Sequence, residues 1–69
     1  MDTSTTVLTP RQLDVLALVA DGRTTTEIAR QLELSPHTVK NYLERIFERL
    51  GARDRTQAVA MALREGILT

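Results

Sequence analysis

The sequence predicts an all-α fold, a compact domain of four helices. Three observations carry that expectation. Both prolines and all three glycines fall where helix boundaries would be. Between them, apolar residues recur at spacings of three and four. Nowhere do they alternate with polar ones as a half-buried strand requires.

The first helix is expected at about 10–21. Thr9-Pro10 reads as N-cap followed by first helical position, where a missing N–H costs nothing. Thr9 and Gln12 have capping-box spacing. Leu13, Val15, Leu16, Leu18 and Val19 form a broad apolar face, and Gly22 closes the helix. The second, about 25–33, starts at Thr24 with Glu27 and buries Ile28, Ala29 and Leu32. Ser35-Pro36 starts the third, about 36–50, whose stripe is Val39, Tyr42, Leu43, Ile46, Phe47 and Leu50 before Gly51. Asp54 with Gln57 starts the fourth, about 55–65, with Ala58, Val59, Ala62 and Leu63 apolar and Gly66 beyond. Each stripe needs a partner, so the helices must pack together. The polar stretch 1–7 is expected to be a disordered or linker-like N-terminus, and 8–69 the domain.

Composition excludes several functions. The chain of 69 residues has no cysteine and one histidine, so it has no disulfide, thiolate metal site or cysteine nucleophile, and no histidine cluster. No metal, cofactor or catalytic residue is expected: His37 stands near the start of an amphipathic helix, and Ser35 reads as a cap. No apolar run approaches the ~20 residues of a membrane span, and "MDTSTTV" does not read as a signal peptide. The expected setting is cytoplasmic. Nine Arg and Lys balance nine Asp and Glu, which argues against a strongly basic, phosphate-driven binder. The charge is uneven, however. Residues 37–55 hold five basic and three acidic side chains, a net +2 against −2 elsewhere.

The third helix carries the functional signal. Opposite its stripe stand His37, Asn41, Glu44, Arg45 and Glu48, flanked by Thr38 and Lys40, at about 100° per residue. On chemistry alone this is either a solvated face or a reading face. The turn before it is short, with Leu34 as an apolar plug and small Ala29 where two helices would cross. A short helix, a tight turn and a longer helix describe a helix-turn-helix, here about 23–42. Tyr42 and Phe47 fit the core stripe better than a base-stacking platform. Arg55 reads as part of the cap region.

From Leu8 to Leu68 the sequence closely resembles the LuxR/GerE-type helix-turn-helix domain, found at the C-terminus of many bacterial response regulators and quorum-sensing regulators. The resemblance rests on Leu8-Thr9-x-Arg11, Val15-Leu16-x-Leu18, Gly22, Glu27-Ile28-Ala29, Leu32, Ser35-x-x-Thr38-Val39-Lys40, Ile46, Leu50-Gly51, Arg55 and Ala58-Val59. It implies a transcriptional regulator that binds double-stranded DNA, usually as a homodimer joined through the fourth helix on an inverted-repeat operator, and that contacts RNA polymerase. By that resemblance His37, Lys40, Asn41 and Glu44 are base-reading candidates. Arg11, Thr38, Arg45 and Arg49 are phosphate-contact candidates, and Ala58, Val59, Ala62 and Leu63 are dimer-interface candidates. The chain departs from the family pattern at Gln12, Thr25, Thr26, Tyr42, Glu44 and Glu48, and the cations lost in the Thr25-Thr26 pair and at Glu44 and Glu48 explain its neutrality. Two alternatives stand beside this reading. One is a protein-interaction module of the same fold that has lost DNA affinity and docks on a regulator or RNA polymerase subunit. The other is region four of a sigma factor, against which the sequence runs on through Gly51 into the fourth helix in the LuxR/GerE manner.

Overall fold

A computed structural model describes residues 8–68. Its helices are α1 (Pro10–Ala20), α2 (Thr25–Leu32), α3 (Pro36–Leu50) and α4 (Arg55–Arg64), and no strand occurs among the described residues. The expected starts are met at every helix. The expected ends at 21, 33 and 65 each lie one residue too far. Stretch 1–7, expected to be linker-like, lies outside the described residues.

The helix starts follow from side-chain oxygens reaching orphan N–H groups. Thr9 Oγ1 accepts from the Gln12 N–H (3.2 Å) and Gln12 Oε1 accepts from the Thr9 N–H (2.9 Å). Thr24 and Glu27 repeat this reciprocal box at 3.1 and 2.9 Å. The third expected box is half made. Asp54 Oδ1 accepts from the Gln57 N–H (2.8 Å), but Gln57 Oε1 accepts from Arg53 N–H (2.6 Å). Asp54 is more extended (φ −154°) than Thr9 or Thr24 (φ −74° and −78°), and the N–H that meets Gln57 is that of the residue before it.

All four helices stop by one device. A residue in the left-handed region turns the chain, and the next N–H bonds back to a carbonyl five residues earlier. These bonds are Arg23 to Leu18 (3.1 Å), Leu34 to Ala29 (2.8 Å), Ala52 to Phe47 (2.8 Å) and Ile67 to Ala62 (2.8 Å). Glycine is the turning residue in three: Gly22, Gly51 and Gly66. In α2 it is Glu33, at φ 59°. A side chain there costs about 1 kcal/mol. Glu33→Gly is therefore expected to raise stability by up to about 1 kcal/mol, less what glycine's freer unfolded chain takes back. Thermal melting followed by circular dichroism checks it; a lower melting temperature would show that Glu33 is not strained.

α3 is the axis of the fold and packs on each of the other three helices. Val15, Leu16, Ile28, Val39, Ile46, Ala58 and Ala62 are fully buried, and Leu8, Val19, Ala29, Leu43 and Leu50 nearly so. Tyr42 and Phe47 lie partly buried against this core, as does Leu34 in the turn between α2 and α3. Their rings are thus packing groups. One side of α3 is consumed by the core, and the other is held outward by three helices behind it.

Candidate nucleic-acid interface

The N-terminus of α3 is built by Ser35 and Pro36. Ser35 is extended (ψ 153°), and its Oγ accepts the Thr38 N–H at 3.0 Å. The same Oγ lies 2.9 Å from Thr38 Oγ1. Two hydroxyls that share one bond keep one O–H free to donate. It sits at the positive end of the helix dipole, where phosphate is favoured.

Beyond this turn, His37, Lys40, Asn41, Glu44, Arg45, Glu48 and Arg49 are exposed, while Thr38 is half-buried. The four base-reading candidates therefore share one outward face, as the periodicity predicts. Asn41, Glu44, Arg45 and Glu48 together line a shallow depression on it. Among the described residues, ion pairs join Arg11 to Asp14 (3.9 Å) and Arg23 to Asp21 (3.2 Å), both exposed. Lys40 and Arg45 have no such partner, so their charges are available to an anion. Exposed pairs are worth little, so Arg11 can leave Asp14 at small cost.

A second depression runs between the start of α1 and the side of α3. It is lined by Thr9, Gln12, Thr38, Asn41, Tyr42 and Arg45. It brings two phosphate-contact candidates, Thr38 and Arg45, beside the first turn of α1. Arg11 does not line it. Thr9 and Gln12 do, although the sequence marks them only as a cap. No local signal reveals this, because it depends on where α1 crosses α3.

Arg55 is committed elsewhere. Its guanidinium donates to the Arg23 carbonyl (3.1 Å) and to Thr25 Oγ1 (3.3 Å), tying α4 to the start of α2. The rest of α4 divides cleanly. Ala58 and Ala62 are fully buried in the chain's own core, where their small size lets α4 lie close to its neighbours. That burial leaves neither free to face a partner. Val59 is half-buried, and Leu63, 52% exposed, is the large apolar side chain left in solvent among the described residues. No described helix is long and apolar enough to cross a membrane.

Comparison with known proteins agrees with this architecture. Residues 6–62 match the family described as bacterial regulatory proteins, luxR family. The chain is 42% identical over 59 residues to the transcriptional regulatory protein DesR of Bacillus subtilis, covering 86% of this chain and 30% of that protein. It is 47% identical over 64 residues to the HTH-type transcriptional activator RamA of Corynebacterium glutamicum, covering 93% and 23%. It thus spans a third or less of the length of these relatives. The solved structure of the transcription factor GerE superposes with a TM-score of 0.87 at 33% identity, covering 93% of this chain and 96% of that one.

Proposed function

The chain belongs to the luxR family of bacterial regulatory proteins, and from that premise we propose that it binds double-stranded DNA sequence-specifically as a transcriptional regulator, with α3 in the major groove. The observation that carries this is the outward face of α3. It presents donors and acceptors of several kinds on one helix, with Lys40 and Arg45 in no ion pair among the described residues. Lys40, Asn41, Glu44 and His37 reach base edges, and Thr38, Arg45, Arg49 and Arg11 hold phosphates. A homodimer forms on DNA through the exposed side of α4, at Val59 and Leu63. It sets two copies of α3 on half-sites of an inverted repeat about one DNA turn apart. That DesR and RamA are transcriptional regulators supports this reading.

Selection from a random duplex pool at physiological ionic strength tests it, because there specific contacts must exceed the counterion term. An enriched inverted repeat is expected. Folded protein that enriches nothing would overturn the proposal. A second reading draws on the exposed carboxylates of Glu44 and Glu48: a module of the same fold that docks on a regulator or RNA polymerase subunit and does not bind DNA at that ionic strength.

Glu44 also sets a prediction about non-specific binding. Glu44→Lys removes one negative charge from the groove-facing side and adds a positive one. Affinity for a mixed-sequence duplex is expected to rise several-fold, with a salt slope steeper by about 0.9 if the new lysine meets one phosphate. Titrations across a range of salt concentrations read both. An unchanged slope would place Glu44 away from the DNA backbone.

A further inference from the structure

Glu44, nearer than Glu48 to the start of α3, is an acidic residue that non-specific DNA binding leaves unexplained. It is exposed, and among the described residues no ion pair holds it. Lys40 stands four residues earlier, at the spacing where helical pairs form, yet no bridge joins them. Lysine preceding glutamate is the weaker order for such a pair. In angle around α3, at about 100° per residue, Glu44 lies between Lys40 and Asn41, one turn further along. A carboxylate at that point faces whatever the helix reads.

On the reading that α3 occupies the major groove, the chemistry of base edges narrows its target. Guanine offers acceptors at O6 and N7, thymine an acceptor at O4, and adenine pairs its one amino donor with an adjacent N7 acceptor. Each of those acceptors repels a carboxylate. Cytosine presents the N4 amino group, a donor, and it is the base that Glu and Asp accept from. Lys40 suits the acceptors of guanine, and the amide of Asn41 suits the N6/N7 edge of adenine. The helix rises about 1.5 Å per residue, so Lys40 and Glu44 are about 6 Å apart along its axis.

We infer that Glu44 is a specificity-determining residue that selects cytosine, in a half-site that also holds guanine under Lys40 and adenine under Asn41. The carboxylate acts as much by rejection as by attraction. At any other base it meets acceptors within a phosphate-walled groove, so it lowers affinity for wrong sites. The chain's neutrality is then the counterpart of discrimination.

The test is selection from the same random duplex pool with the native chain, Glu44→Gln and Glu44→Ala, followed by titration of single-base variants of the enriched site. The native chain is expected to enrich one near-invariant cytosine per half-site. Replacing that base is expected to weaken native binding about ten- to a hundred-fold. Glu44→Ala loses the preference at that position alone, and Glu44→Gln moves it to adenine, whose N6/N7 edge an amide matches. An enriched site whose base preferences are identical in all three proteins overturns the assignment of Glu44 while leaving DNA recognition standing. No enrichment by any of the folded proteins overturns the major-groove reading itself, and this inference with it.

Discussion

Ile46→Ala is expected to lower the stability of the chain by about 3–4 kcal/mol and its melting temperature by roughly 15–25 °C. Ile46 is fully buried in the middle of α3, the helix that packs on all three others. Shortening it to a methyl group removes the transfer energy of three carbons and leaves a cavity that four converging helices cannot collapse around without shifting. A chain of 69 residues has a total stability of about 3–10 kcal/mol, so this one change takes a large part of it. Leu63→Ala is the matching control. It removes the same three carbons from α4, but Leu63 is 52% exposed, and its loss is expected to change the melting temperature of the monomer by little. Thermal melts of dilute protein decide the matter. If both variants melted alike, the division between core and surface described above would be wrong.

That division marks where the sequence could be read and where it could not. The helix starts were legible because each is a side-chain event within four residues: Thr9 with Gln12, Thr24 with Glu27, Ser35 with Thr38. Three stops were legible because glycine marks the left-handed turn. The turning residue of α2 was not, because Glu33 takes that conformation without a glycine's freedom, while the bond from the Leu34 N–H to the Ala29 carbonyl closes the helix as in the other three (2.8 Å). The outward face of α3 was legible from angular spacing, since a helix with one strong apolar stripe has only one opposite side. In α4 the signal failed. Ala58, Val59, Ala62 and Leu63 are all apolar, and only the position of α1 and α3 decides which are covered. The depression that adds Thr9 and Gln12 to the side of α3 is likewise a property of two helices crossing, and no local pattern encodes it.

Replacing Lys40 and Asn41 together with alanine is expected to weaken binding to the selected operator about a hundred-fold. Each well-made contact to a base edge discriminates by about 1–3 kcal/mol, and two adjacent residues that share a site sum to less than their separate values. The fold is not at stake. Both side chains are exposed, neither makes an ion pair among the described residues, and alanine is the better helix former at either position, so the helical circular dichroism signal is expected to stay intact. Affinity for a mixed-sequence duplex is expected to fall far less, since one positive charge is lost and the proposed phosphate contacts of Thr38, Arg45 and Arg49 are untouched. The ratio of specific to non-specific affinity is therefore the decisive quantity. Arg45→Ala supplies the contrast: a residue that holds phosphate weakens binding to every sequence alike and reduces the salt slope by about one. If the double variant behaved as Arg45→Ala does, keeping its ratio while losing affinity everywhere, Lys40 and Asn41 would be backbone contacts. Base reading would then have to lie with His37, Glu44 and the side of α3 nearer α1.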